Sequence, residues 1–264
     1  MRTRFRKIGV WLFSALFSIT MMFGVLFMTA FVEGSAVENP MSITTKTSYS
    51  IAKGVTLDQY IVRSKSQKQS IGYMTTVDLN QEVKILASYT GYYTEGSTVE
   101  TRKANAATLQ GGSAWSMSQT TRQAAAYESI ADAEGTVVVA TNGDFFNMQT
   151  GKPSGYLVME GNLITTGNTN GNEPYFAILK DGTAVIREAG TDTSDVAEAI
   201  SGPYWLIKDN EIVADKNDTS LNPRNSVGIK ADGSVVLFEF DGRQEPLSAG
   251  LNYYELACML KDAG

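Results

Sequence analysis

The chain has 264 residues, enough for one large domain or two small ones, and its composition, 43% hydrophobic and 19% charged, is that of a globular protein. It contains no histidine, which excludes histidine-dependent triads, His-ligated zinc and imidazole general bases. Four of the 22 basic residues and none of the 28 acidic ones lie before residue 33, which leaves 18 basic against 28 acidic residues in the remainder. Because this acidic excess repels nucleic acid, we expect no nucleic-acid partner.

Residues 1–33 predict a membrane-directed segment. A basic flank precedes an uncharged and mostly apolar run from Ile8 to Val32, which is long enough for a helix that spans a bilayer. Gly34-Ser35-Ala36 also offers small residues for cleavage, so an uncleaved single-pass anchor and a cleaved signal peptide both remain open. The basic flank predicts that the rest of the chain is exported, either to the extracellular face of the membrane or as a secreted protein.

The exported part starts with a polar, Ser- and Thr-rich stretch, which predicts a stalk over residues 34–58 and a folded domain over residues 59–264. The single cysteine, Cys258, cannot form an intrachain disulfide, and its apolar position in a predicted helix indicates a buried structural thiol. An exported chain without cysteine pairs favours a bacterial surface protein.

Alternating apolar residues predict two half-buried strands, one from Ile71 to Val77 and one from Val83 to Ala87, followed by a long loop over residues 89–119. A helix is predicted from Thr121 to Ala133. Four hairpins follow, over residues 156–164, 176–186, 205–213 and 227–240. The last predicted element is a helix over residues 252–263, where Asn252 and Glu255 form a capping pair.

The stretch from Thr136 to Phe146 is the one around which the domain is organised. Its β-branched run, Val137 to Ala140, predicts a strand buried on both faces, and Phe145 and Phe146 are expected to return to the core. Between them, Asn142-Gly143-Asp144 forms either a plain turn or a site in which a rigid strand presents an amide and a carboxylate at a sheet edge.

These elements predict an α+β fold. We expect a mixed, mostly antiparallel sheet built of hairpins with two helices packed on it, preceded by the N-terminal transmembrane or signal helix.

Two further polar clusters lie next to predicted apolar strands, the first before a strand and the second after one. Arg224 follows Pro223 in Asn222-Pro223-Arg224-Asn225-Ser226, so its guanidinium is held on a stiff stem, although a solvated surface arginine is the plainer interpretation. Asp241-Gly242-Arg243 follows the apolar strand from Val235 to Phe240, and by itself it indicates no more than a turn.

Taken in order, these segments resemble the phosphodiester glycosidase family. The resemblance covers about residues 135–264, extends weakly back to about Tyr60, and rests on NGDFF, a glycine-led hairpin from Gly155 to Ile164, NPRNSVGI, KADGSVVLFEFDGR and GLNYYELACMLKDAG. In the family, a strand with an Asp-Gly-Gly-Gly-Ser-like segment follows the last helix. This sequence ends at Gly264 without that segment, so we expect the 59–264 domain to be C-terminally incomplete.

The resemblance implies hydrolysis of a sugar-1-phosphodiester bond, in surface or cell-wall glycans. Arg224 and Arg243 match family motifs, and the planar fork of an arginine suits the oxygens of a phosphodiester. Because glycosidic cleavage commonly uses two carboxylates, Asp144 and Asp241 are the candidate catalytic residues.

The remaining predicted substrate-binding residues are Asn142, Gly143 and Gly242. The expected partner is a glycan or sugar-phosphate substrate, together with the membrane through the N-terminal helix, and no cofactor or metal is expected. Two other interpretations remain open. The chain is either a non-catalytic surface module that binds a glycan or an anion with the same fold, or a purely structural domain attached to the cell wall.

Overall fold

The computed structural model describes residues 39–112, 114–167 and 173–264, and Asn39–Gly264 forms one compact unit. The predicted membrane-directed segment, residues 1–33, lies outside the described residues. Within the described ranges, no helix has the length and the apolar character needed to cross a membrane.

The first sheet has five antiparallel strands in the order β1-β2-β3-β12-β11. Their bounds are β1 (Ser42–Ala52), β2 (Val55–Arg63), β3 (Gln69–Val77), β11 (Arg224–Ile229) and β12 (Val235–Phe240). The predicted stalk is therefore corrected from Ser42 onward, since residues 42–58 lie in β1 and β2. The Ser- and Thr-rich run of β1 is exposed almost throughout, but its backbone pairs with β2, and β-branched residues suit such a strand.

The second sheet is also antiparallel, in the order β5-β4-β8-β6-β7. Its strands are β4 (Leu157–Met159), β5 (Asn162–Thr165), β6 (Pro174–Leu179), β7 (Ala184–Glu188) and β8 (Val196–Ser201). A small ribbon joins β9 (Ile207–Lys208) to β10 (Glu211–Ile212). The central strand β8 is missed by the sequence patterns, because VAEAIS is rich in alanine and glutamate, which disfavour strands.

Among the described residues, three helices accompany the sheets: α1 (Val99–Gln110), α2 (Thr120–Glu128) and α3 (Tyr253–Asp262). The first lies where the sequence predicts a loop, and the side chain of Thr98 caps it. The last is confirmed together with its capping box, in which Asn252 and Glu255 bind each other's backbone N–H groups. Cys258 is buried in this helix, as predicted.

Strand β12 connects two parts of the core, because alternate residues of a strand point to opposite faces. Val236, Phe238 and Phe240 pack in one cluster with the buried side of α3. On the other face, Val235 packs with Phe176 and other residues of the second sheet. The antiparallel, sheet-rich α+β prediction is thereby confirmed, with two five-stranded sheets in place of one.

Two predicted strands are absent from the described structure: the segments from Val83 to Ala87 and from Val137 to Ala140 have no regular secondary structure and pair with no strand there. The amide of Val137 donates to a carboxylate of Glu128. Val138 is 45% exposed and Phe145 is 57% exposed, so neither the two-sided burial nor the return to the core is observed. Their β-propensity alone does not form a strand, because a ladder also needs an adjacent sheet edge, and here both segments border a cavity.

Candidate active site

A cavity of about 1420 Å³ lies between the two sheets, with walls formed by residues of both sheets. The unpaired segment that contains Asn142, Gly143 and Asp144 runs along it, and Arg224 at the start of β11 also lines it. Four of the seven predicted site residues are therefore brought to one cavity. Such a cleft with a few convergent polar groups is the usual form of a small-molecule site.

Asp144 is held by backbone amides. Its Oδ2 accepts a hydrogen bond from the N–H of Gly155 at 2.6 Å, and its Oδ1 accepts one from the N–H of Phe145 at 2.7 Å. Burial nevertheless raises the pKa of Asp144 to about 6, and the negative charge of Glu173 acts in the same direction. A carboxyl that titrates near neutrality in a cleft is a candidate for proton transfer or nucleophilic attack.

Two glycines allow this arrangement. A Cβ on Gly143 would lie 2.0 Å from Cδ1 of Ile200, and one on Gly155 would lie 2.4 Å from the Oγ of Ser201 and 3.1 Å from Oδ2 of Asp144. The backbone therefore approaches the end of β8 more closely than any other residue type permits. Asp144 is placed against the second sheet by this close contact.

Arg224 belongs to the first sheet, and three partners fix its guanidinium. Its Nε donates to the carbonyl of Leu251 at 3.3 Å, and its Nη2 donates to the carbonyl of Ser220 at 3.0 Å. Its Cζ lies 3.7 Å from the ring centroid of Tyr253, which is a close cation–π contact. Within the described part of the chain, Nη1 has no hydrogen-bond partner, so its N–H groups retain their capacity to donate, and Arg224 lines the cavity.

The segment that carries Asp144 meets the strand that carries Arg224 at Asn142, whose backbone carbonyl accepts a hydrogen bond from the Nδ2 of Asn225. Asn225 is the residue after Arg224 and also lines the cavity. The amide side chain predicted to bind substrate therefore lies in a segment tied to β11. Sequence reasoning assigned no role to Asn225.

The other three predicted residues lie elsewhere. Asp241 accepts hydrogen bonds from the N–H of Gly242 at 2.8 Å and from Nε2 of Gln244 at 3.0 Å, within its own turn. Arg243 donates from Nη2 to the Oδ1 of Asn222 at 2.6 Å. Among the described residues that line the cavity, none belongs to Asp241-Gly242-Arg243. The structure thus does not bring Asp241 and Asp144 together as a pair.

The Asp241-Gly242-Arg243 turn instead supports the chain that leads into Arg224. A Cβ on Gly242 would lie 2.5 Å from the backbone nitrogen of Pro223, so the turn packs directly against this residue. Together with the bond from Arg243 to Asn222, the contact holds the backbone immediately before Arg224.

A buried carboxyl that the sequence analysis did not identify also lines the cavity. Glu198 in β8 is only 6% exposed, and it accepts hydrogen bonds from the backbone N–H groups of Ala87 and Glu160, both at 3.0 Å. Burial raises the pKa of Glu198 to about 8, so it is mostly protonated at neutral pH. No sequence signal marks it, because its surroundings come from distant parts of the chain.

These features define a sheet-rich α+β domain with a carboxylate and an arginine on the two walls of one cleft. Residues 135–264 match the phosphodiester glycosidase family, which confirms the resemblance carried by the sequence motifs.

Relatives of known name agree with this assignment. The chain is 28% identical over 145 residues to N-acetylglucosamine-1-phosphodiester alpha-N-acetylglucosaminidase of Mus musculus, which covers 47% of this chain and 28% of that protein. It is 28% identical over 141 residues to the Homo sapiens enzyme of the same name, covering 45% of this chain and 27% of that protein. The chain thus spans little more than a quarter of the length of these relatives.

Two solved structures share the fold. The catalytic domain of the zebrafish enzyme of that name, auto-inhibited by its pro-peptide, superimposes with a TM-score of 0.57 at 20% identity, covering 85% of this chain and 72% of that one. A hypothetical protein from Synechocystis gives a TM-score of 0.50 at 12% identity, covering 83% and 56%. At these identities, the likeness concerns the fold alone.

Proposed function

We propose that this chain is a hydrolase that cleaves a sugar-1-phosphodiester bond. The observation that carries the proposal is that Arg224 and Asp144, held by different sheets, line the same cavity in a domain of the phosphodiester glycosidase family. The relatives named above act on N-acetylglucosamine linked through a phosphodiester, so a phosphosugar is the substrate class to test first.

In this proposal, Arg224 binds the phosphate. Its free Nη1 donates to a non-bridging oxygen of the diester, while Tyr253 and two backbone carbonyls hold the guanidinium in place. The charge of the arginine also stabilises the phosphate as it leaves the sugar. Since a phosphate monoester is already a good leaving group, a strong general acid is not required.

Asp144 then serves the anomeric carbon. In its ionised form, it either activates a water or attacks the carbon directly, as carboxylates do in glycoside hydrolysis. Asn142 and the backbone of Gly143 flank it and are assigned to substrate binding. Asp241, Gly242 and Arg243 are assigned to the support of the Arg224 segment, because their side chains and close contacts lie there.

The test is hydrolysis of UDP-N-acetylglucosamine by the full 264-residue chain and by two variants, Arg224→Ala and Asp144→Asn. We expect turnover in the wild type and a loss of about 100- to 1,000-fold in kcat/KM in each variant, the usual effect of removing one charge-stabilising group. Arg122→Ala, at an exposed position on α2 that does not line the cavity, is the matched control.

A binding module is the alternative, because a cleft with an arginine can retain a phosphosugar without turning it over. Folded wild-type protein that binds N-acetylglucosamine 1-phosphate but releases no sugar from UDP-N-acetylglucosamine would favour this alternative. Loss of turnover in Arg122→Ala to the same degree as in Arg224→Ala would contradict the assigned role of Arg224.

We also propose that the domain is exported and acts on surface or cell-wall glycans. The basic flank and the apolar run from Ile8 to Val32 support this location. Digestion of the domain when protease is added to intact cells is the expected result, and protection until the cells are lysed would contradict it.

A further inference from the structure

Near Arg224, two aromatic side chains line the cavity: Tyr204 and Tyr253. The rings of Tyr204 and Tyr253 meet edge to face with their centroids 5.0 Å apart. Tyr253 carries the guanidinium of Arg224 on its face, with 3.7 Å between Cζ and the ring centroid. Tyr204, Tyr253 and Arg224 thus form one continuous group, which we name the Tyr–Arg stack.

The loop that supplies Tyr204 comes from the opposite side of the cleft. It follows β8, whose last residue, Ser201, accepts a hydrogen bond at Oγ from the N–H of Tyr156 at 2.7 Å and lies against Gly155. Gly155 is the residue whose N–H binds the carboxylate of Asp144. Tyr204 therefore connects the wall that holds Asp144 to the wall that holds Arg224.

Tyr204 is 57% exposed although it lies at the cavity, so more than half of its surface is accessible. An aromatic ring offers a rigid, apolar face, and it loses little conformational entropy when a ligand packs on it. The C–H groups of a pyranose ring form a matching apolar face. A phosphate, by contrast, needs a cation with free donors, and the Nη1 of Arg224 provides them.

The spacing of the group fits a ligand that combines the two. Because Tyr204 and Arg224 both contact Tyr253, the Tyr204 ring and the guanidinium are separated by less than the sum of 5.0 Å and 3.7 Å. A sugar ring and the phosphate on its C1 are also separated by less than this distance. We propose that Tyr204 is a specificity-determining residue, which packs against the sugar ring of a phosphosugar while Arg224 binds the phosphate.

This inference rests on the proposed function only for the class of ligand. A measurement of binding can test it, because no turnover is required. Isothermal titration of the full chain with N-acetylglucosamine 1-phosphate and with inorganic phosphate separates the sugar contact from the phosphate contact. Tyr204→Ala is expected to weaken binding of the phosphosugar by about five- to tenfold, in keeping with the worth of one aromatic contact, and to leave binding of inorganic phosphate unchanged. Tyr204→Phe keeps the ring and is expected to bind as the wild type does.

Tyr49→Ala is the matched control, since Tyr49 is a tyrosine 48% exposed on β1 that does not line the cavity. Three results would overturn the proposal: wild-type affinity of Tyr204→Ala for the phosphosugar, an equal loss for both ligands, or wild-type protein that binds the phosphosugar no more tightly than phosphate. A chain that passes these binding tests but never cleaves UDP-N-acetylglucosamine would contradict the proposed hydrolase activity and leave the role of Tyr204 in binding intact.

Discussion

At the scale of single residues, the environment of Asp144 decides what this carboxyl does. Two backbone N–H groups stabilise its charged form, yet burial outweighs them and raises its pKa to about 6. The group is thus poised between its two protonation states near neutral pH, where a freely exposed aspartate is fully ionised.

If ionised Asp144 acts on the substrate, kcat/KM rises with pH and reaches half of its maximum near pH 6. Asp144→Asn is expected to retain only its low residual activity and to lose the acidic limb of the profile, and Asp209→Asn, at an exposed position outside the cavity, keeps the wild-type profile. The measurement is the pH dependence of UDP-N-acetylglucosamine hydrolysis. An acidic limb near pH 4, or turnover retained in Asp144→Asn, would remove the residue from this role.

Gly143 is a second residue-scale feature, since its Cα touches the second sheet. Gly143→Ala is expected to lower the free energy of unfolding by about 1–3 kcal/mol, because the new Cβ overlaps Cδ1 of Ile200. Ile200→Val removes that methyl group, so the double variant is expected to be more stable than the sum of the two single effects predicts. Urea unfolding of the four proteins measures this coupling.

Gly135→Ala is the matched control, because no atom lies within 4 Å of a Cβ at that position. Strictly additive effects of Gly143→Ala and Ile200→Val would show that the two residues are not in contact.

At the scale of elements, the side chain of Glu198 connects three parts of the chain through hydrogen bonds. It belongs to β8, and its carboxyl binds the unpaired segment at Ala87 and the turn between β4 and β5 at Glu160. Burial raises its pKa to about 8 in the folded state, against an ordinary value of 4.5. Its stabilising contribution is therefore complete below about pH 4.5 and is lost as the pH rises through 8.

The wild type is thus expected to lose stability between pH 5 and pH 9, measured as the free energy of unfolding in urea. Glu198→Gln, whose side chain is neutral at every pH, is expected to be less stable at pH 5, since its NH₂ group cannot accept the second N–H bond. The free energy of unfolding of Glu198→Gln changes less with pH, so the difference between this variant and the wild type becomes smaller towards pH 9. Glu211→Gln, at an exposed position in β10, is the control. Wild-type stability that is flat over this range would contradict the interpretation.

At the scale of the whole molecule, the site belongs to neither sheet alone. Asp144 is fixed against β8 of the second sheet, whereas Arg224 begins β11 of the first. A ligand that contacts both residues therefore stabilises the arrangement of the two sheets as well as its own binding site.

Saturating N-acetylglucosamine 1-phosphate is accordingly expected to raise the Tm of the wild type, with a gain of about 2.7 kcal/mol at 100 times its Kd. Arg224→Ala is expected to show little or no shift, because the phosphate loses its charged partner. Differential scanning calorimetry measures both. An equal shift in the two proteins would mean that the ligand binds elsewhere.

Local sequence patterns are enough to predict those elements whose interaction partners are near in sequence. The hairpin of β11 and β12 follows from its Asp232-Gly233 turn, and the last helix from the capping pair of Asn252 and Glu255, because turns and caps are short-range interactions. The order of the motifs also sufficed to predict the resemblance to the phosphodiester glycosidase family over residues 135–264. Arg224 and Asp144 were marked as candidate residues by the same motifs.

The positions of these residues in space depend on long-range packing. The run from Val137 to Ala140 has strong β-propensity, but no strand pairs with it among the described residues, and it lines a cavity. Asp144 and Asp241 lie in similar Gly-containing turns, yet Asp144 lines the cavity, whereas the turn of Asp241 packs against Pro223 through Gly242. The raised pKa of Glu198 and the Tyr–Arg stack depend on groups brought together from distant parts of the chain. Burial and long-range contact are properties of the packed chain, and no local pattern contains them.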